Sequence, residues 1–189
     1  MPAMLLAVAS VGFSSCGDDN NDEPEAVNWS TSYEVKVELS DDVLKLTDVT
    51  AHIAYPDGTF RDQPVVEKNS SWTMTGDKVP DKAGVLLTFV PKHDFDVNQV
   101  YTISTNGSIS ATSYVNKGVI DTKSFSIEGE EFELDGDKVE EYFKGNGVGF
   151  AYGVSSNGKI VDVDLREFDF GLNGIWEWLA GVLVGGEDK

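Results

Sequence analysis

The chain has 189 residues, 14 Lys and Arg against 33 Asp and Glu, and a formal charge of −19. One cysteine excludes an internal disulfide and a Cys-rich metal or iron–sulfur site, and two histidines leave little for a His-rich centre. The acidity argues against nucleic acid as a partner, because affinity for a phosphate backbone comes from Lys and Arg, while 40% hydrophobic and 11% aromatic residues suffice for a buried core.

Residues 4–13 form a nearly unbroken apolar run. It is too short to cross a bilayer, which takes about 20 helical residues. It suits the apolar region of a secretory signal peptide, so residues 1–15 are expected to be removed. Phe13-Ser14-Ser15-Cys16 resembles a bacterial lipobox, in which the Cys becomes the lipidated first residue of the mature protein. Phe13 stands where Leu is commoner, and no Lys or Arg precedes the run. Residues 16–26 then read as the lipidated Cys and a flexible acidic tether, of which 17–25 has no apolar side chain to add to a core. A calcium loop over Asp18, Asn20 and Asp22 is disfavoured, because Glu23 stands where the turn needs Gly.

Asp18, Asp19, Asp22 and Glu23 directly after Cys16 are similar to the export signal of Bacteroidetes surface lipoproteins. The resemblance covers about 25 residues, estimated from the signal-peptide and tether lengths. It implies an outer-membrane address facing the cell exterior, with the membrane as partner through the lipid on Cys16.

From about Ser30 the pattern changes to strict alternation. Tyr33, Val35, Val37 and Leu39 point one way, and Glu34, Lys36 and Glu38 the other, which predicts a half-buried strand. Val49, Ala51, Ile53 and Tyr55 predict a second strand, with His52 on its surface. Pro56-Asp57-Gly58 is a turn, 59–66 the return strand, and Pro64 places that strand at an edge. Trp72 and Met74 share one face of a short strand, and Trp72 is expected in the core. Trp29 lies where tether meets domain, placed to pin the first strand. Val85–Val90 is apolar on both faces, as in a strand covered on both sides.

Asn106-Gly107 predicts a type I′ hairpin joining 99–104 to 108–115, since both central residues of that turn need positive φ. Asn116-Lys117-Gly118 reads as a looser turn. Phe125/Ile127 and Phe132/Leu134 predict two short strands around Glu128-Gly129-Glu130. Asp137 is placed to cap a short helix over 138–144, with Glu140 as its capping-box partner and Gly145 as the stop. Asn157-Gly158 predicts a second hairpin joining 148–155 to 159–168.

Roughly ten strands separated by polar turns define an all-β fold. The expectation is an antiparallel β-sandwich over 27–170, immunoglobulin-like, with a lipocalin-like β-barrel as the alternative. Residues 171–189 form an apolar C-terminal segment, expected to be a short helix over 175–184. Trp176 and Trp178 in it are candidate contacts for a ligand or partner.

No catalytic residue emerges. There is no nucleophile elbow, and Gly145-Asn-Gly147-Val-Gly149 has the wrong spacing for a dinucleotide loop and precedes a strand. His93, Asp94 and Asp96 are weak metal candidates in a polar loop after Pro91. No cofactor is implied. The composite expectation is a lipid-anchored surface domain acting as a non-catalytic binding or adhesion module, for a glycan or a surface protein. A carrier of a small apolar ligand and a carboxylate-based hydrolase are the alternatives.

Overall fold

The structure is a computed structural model that describes residues 27–170 and the backbone of 181–185. Its strands are β1 (Trp29–Leu39), β2 (Thr47–Ala54), β3 (Phe60–Val65), β4 (Asn69–Gly76), β5 (Asp81–Pro91), β6 (Val100–Ile103), β7 (Thr105–Val115), β8 (Gly118–Ile127), β9 (Phe132–Asp135), β10 (Asn146–Val154), β11 (Ile160–Asp162) and β12 (Gly181–Gly185). Two short helices, α1 (Asp41–Leu46) and α2 (Val139–Phe143), join them.

One sheet runs β4-β1-β7-β8 and is antiparallel throughout. The other runs β11-β10-β5-β2-β3, with β12 also paired to β10. A two-stranded ribbon, β6-β9, completes the set. The alternation read from β1 holds: Tyr33, Val35, Val37 and Leu39 are buried. With Trp72, Met74, Ile109 and Ala111 they meet Val49, Ala51, Ile53, Val85, Leu87, Phe150 and Tyr152 of the second sheet in one core. This is a sandwich of two separate sheets, not the closed barrel of the alternative expectation. The immunoglobulin arrangement places its first two strands in one sheet, whereas β1 and β2 lie in opposite sheets here.

β5 is buried on both faces from Ala83 to Leu87, as its apolar run predicts. Its outward side belongs to a second cluster. There Ala54, Leu86 and Ala151 are covered by Val163, Leu165, Phe168 and Phe170 from the segment after β11. The strand expected over 159–168 is therefore only three residues long. The chain leaves the sheet at Val163 and turns through Leu165–Glu167 to cover the sheet's outer face. Pro64 does lie on an edge strand, since β3 ends the sheet.

Three turns separate cleanly by backbone angle. Gly58 (φ +82°) and Gly158 (φ +81°) each follow a turn whose N–H···O=C bonds are 2.8–2.9 Å. Only the glycine is left-handed in each, which is the three-residue hairpin pattern. The type I′ turn falls instead at Asn116 (φ 47°) and Lys117 (φ 68°), between β7 and β8. Asn106-Gly107 makes no turn: β7 runs through it, pairing Asn106 with Glu38 and Gly107 with Val37. β6 pairs with β9, so the predicted hairpin is absent.

Two helix expectations also change. α2 forms and stops at Gly145 (φ +76°), but Asp137 lies inside a preceding 3-10 turn and caps nothing; Lys138 occupies the α2 N-cap without a side-chain bond. Residues 181–184 of the expected C-terminal helix lie in strand β12, parallel to Asn146–Phe150 of β10. The reason is an open edge: β11 covers only Tyr152–Val154, and β12 pairs with the part it leaves. Residues 171–180, with Trp176 and Trp178, lie outside the described residues.

Candidate binding surfaces

The outward face of the four-stranded sheet is polar in four successive rows; only its end row, Ser30, Tyr114 and Val119, brings larger apolar groups. Register aligns Thr75, Ser32, Thr112 and Thr122 across the four strands. The next rows are Thr73, Glu34, Ser110 and Ser124, then Ser71, Lys36, Ser108 and Ser126. Asn69, Glu38 and Asn106 form the last. Alternation puts these side chains opposite the core. Serine is short, so the surface dips between its longer neighbours. An open groove of about 800 Å³ lies there, lined by Lys36, Glu38, Asn69, Ser71, Asn106 and Ser108 among others.

One wall of the groove is the loop between β8 and β9. The Gly129 N–H donates to Asn106 Oδ1 at 3.0 Å. A Cβ on Gly129 would lie 2.3 Å from the Thr105 carbonyl oxygen, so only glycine allows this approach. Asn106 thus holds a ridge rather than a turn. Gly107, beside it, leaves room for the Phe150 ring, which a Cβ would meet at 2.3 Å.

Beyond the ridge lies a second depression, a cleft of about 420 Å³. Phe89 and Phe143 are buried in its floor, with ring centroids 5.7 Å apart. Phe132 and Tyr142 form its walls and are 36% and 37% exposed. Their centroids stand 5.3 Å apart, with planes at 61°. Thr105, Glu130 and Asn146 supply polar groups. The Asn146 amide donates to the Tyr142 carbonyl and ties β10 to the end of α2. Burial pushes the Tyr142 phenol above its ordinary pKa.

Two further polar constellations are structural. Asp81 bridges the sheets: Thr31 Oγ1 donates to its Oδ2 at 2.5 Å and the Tyr33 phenol to its Oδ1 at 2.6 Å. Burial raises the Asp81 pKa against the pull of those two bonds. Burial, the hydrogen bond to Asp81 and its charge all push Tyr33 far up.

His52 is buried, not on the surface as alternation alone predicts, because the segment ending at Phe170 covers that face. Its Nδ1 lies 2.7 Å from Asp62 Oδ1 and its Nε2 3.0 Å from Thr88 Oγ1. Carboxylate, imidazole and hydroxyl in line resemble an activated nucleophile. Thr88 sits in mid-strand, however, between Thr50 of β2 and Gly147 of β10. Ladder pairing on both sides leaves no pair of free N–H groups for an oxyanion, so the line satisfies a buried imidazole.

The remaining sequence candidates are placed as follows. His93 is 87% exposed at its side chain and faces Glu140 at 3.5 Å. Asp96 Oδ1 accepts from the Asn98 backbone at 2.9 Å, closing its own loop. They do not converge with Asp94: among the described residues no three His, Cys, Asp or Glu side chains group to hold a metal. Trp72 is in the core, its indole N–H donating to Gln63 Oε1 at 3.1 Å. Trp29 opens β1, and its ring stands 2.6 Å from where a Cβ on Gly158 would lie. Cys16, Asp18, Asp19, Asp22 and Glu23 lie outside the described residues. Among the described residues no helix is long and apolar enough to cross a membrane.

Neither surface is assembled by a motif. The groove draws on four strands whose outward residues read as ordinary solvated positions. The cleft gathers rings from β5, β9 and α2, more than 40 residues apart at the extremes. No family model matches the chain, and no curated protein matches it.

Proposed function

We propose that this protein is a non-catalytic binding module, anchored to the outer membrane through Cys16 and facing the cell exterior, that takes a neutral glycan in the groove of the four-stranded sheet. The groove carries the reading. Its amides, hydroxyls and the charged Lys36, Glu38 and Glu128 match the donors and acceptors of a sugar chain, and it lies on the sheet face turned away from the core. A chain of charge −19 disfavours acidic polysaccharides. The acidic tether spaces the domain from the lipid.

Titration with neutral oligosaccharides, followed by amide NMR shifts, tests the ligand. Binding at about 1 mM or tighter, with shifts centred on Lys36, Asn69 and Ser108 and abolished by Ser108→Trp, is the expected result. Shifts elsewhere, or none across a broad panel, overturn the glycan assignment. Cleavage of the bound sugar would favour the hydrolase alternative instead. The anchor is tested separately: Cys16→Ala should stop labelled fatty acid incorporation and release the protein from membranes. Protease added to intact cells should cut the wild-type domain, and survival beside cleaved surface markers refutes exterior display.

A further inference from the structure

The cleft on the other side of the ridge has different chemistry and does not depend on the glycan reading. Its lining is aromatic, with half-exposed walls over a buried floor. At about 420 Å³ it falls within the range of small-molecule sites, roughly 300–1,000 Å³. Ring geometry narrows the ligand class. A sugar face stacks on a flat, exposed ring. Here Phe132 meets Tyr142 at 61°, and Tyr142 meets Phe143 at 85° with centroids 5.0 Å apart. Rings meeting edge to face make a corner, which suits a compact, ball-shaped group.

Charge narrows it further. Glu130 lines the cleft. The loop and strand on one side carry Glu128, Glu131 and Glu133, and α2 on the other carries Glu140 and Glu141, all exposed. Lys138 and Lys144 are the only basic residues between 128 and 144. An aromatic corner with the Glu130 carboxylate in its lining attracts a cation with an apolar surface, because ring faces and carboxylates both favour positive charge.

We infer that this cleft is a binding site for a small organic cation of the alkylated ammonium class, held against Phe132 and Tyr142 with Glu130 as its counter-charge. The bulky methyl groups fill the corner, and the positive centre rests on the ring faces. A Lys ammonium is a poorer ligand, since its strong hydration must be stripped.

Calorimetric titration of the full chain with choline, and with its uncharged isostere dimethylbutanol, tests this. Choline is expected to bind about tenfold more tightly than the isostere, which is the size of effect a partly desolvated cation–π contact gives. Phe132→Leu keeps the apolar bulk and removes the π face, so choline should weaken several-fold while the isostere does not. Glu130→Gln should likewise weaken choline alone, and added salt should do the same. Equal affinity for the two ligands would mean a plain apolar pocket and overturn the proposal. So would unchanged choline affinity in Phe132→Leu, or no choline binding up to about 100 mM.

Discussion

The two sheets differ most on the sides they turn away from each other. On the four-stranded sheet, the outward residues of β1, β4, β7 and β8 are Ser, Thr, Asn, Glu and Lys except in the end row of Ser30, Tyr114 and Val119, and they are partly or fully exposed among the described residues. On the other sheet, the outward residues include Ala54, Leu86 and Ala151, and the chain returns over them with Leu165, Phe168 and Phe170. Both faces sit on similar backbones. Side-chain polarity alone decides which must be covered, since apolar area left in water costs about 25 cal/mol per Å². The covered face contributes stability; the polar one needs no cover, because its side chains hydrogen-bond to water and to one another.

Mutations should separate the faces. Leu86→Ala empties a fully buried site beneath the covering segment and is expected to cost about 2–5 kcal/mol in denaturant unfolding. Tyr33→Phe breaks the bond to Asp81 between the sheets and should cost about 1.5–3 kcal/mol, as for a hydrogen bond to a charged group. It should also alter pH dependence. Folding holds the Tyr33 phenol protonated. Wild-type stability is therefore untouched by this group below the ordinary tyrosine pKa of about 10 and falls as pH rises above it. Unfolding curves measured from neutral to strongly alkaline pH should show that decline in the wild type and a weaker one in Tyr33→Phe.

Asp81 acts with the same sign lower down. Its raised pKa means that the ionised form is disfavoured in the fold, a cost absent in acid that grows as pH rises through the folded value. Asp81→Asn should remove that cost, so that unfolding curves extended into acid show a smaller fall in stability from acid to neutral pH than the wild type has.

Gly149→Ala pushes a methyl into Leu165 Cδ1, which stands 2.1 Å from the position of that Cβ. Overpacking of this kind costs about 1–3 kcal/mol. The added methyl should lift the covering segment, visible as faster proteolysis after Val163. At the small end, Ser110→Ala on the open face should change stability by less than about 0.5 kcal/mol. A loss as large as that of Leu86→Ala would mean that this face is not open in solution.

Much of the fold was legible. Period-two alternation marked β1 and β2, and a two-sided apolar run marked β5 as interior. Local dipeptides were less informative. Asn-Gly at 106–107 carries the strongest hairpin signal in the chain, yet its amide holds a ridge and its glycine admits a ring from another sheet. Asn116-Lys117 makes the type I′ turn although lysine is a poor residue for positive φ. The strand pairing of β7 with β8 imposes it. α1 went unread because it is a single short helix between strands, capped by Ser40, whose Oγ accepts from the Val43 N–H at 3.4 Å. Of the candidate sites, the polar strand residues were visible only as solvated positions. The aromatic cleft was not visible at all.

The sequence by itself determined the class of fold and the two faces of each central strand, because alternation is a local property of the backbone. Its first 25 residues also carry the signals behind the proposed address. Tertiary structure alone decided which faces pair, which outer face is covered, and where distant side chains meet. His52, read as a surface residue, is buried because a segment over 100 residues later lies across its strand. Phe89, Phe132 and Tyr142 line one cleft for the same reason. Such meetings depend on the order in which strands join the sheets, and no periodicity records that order.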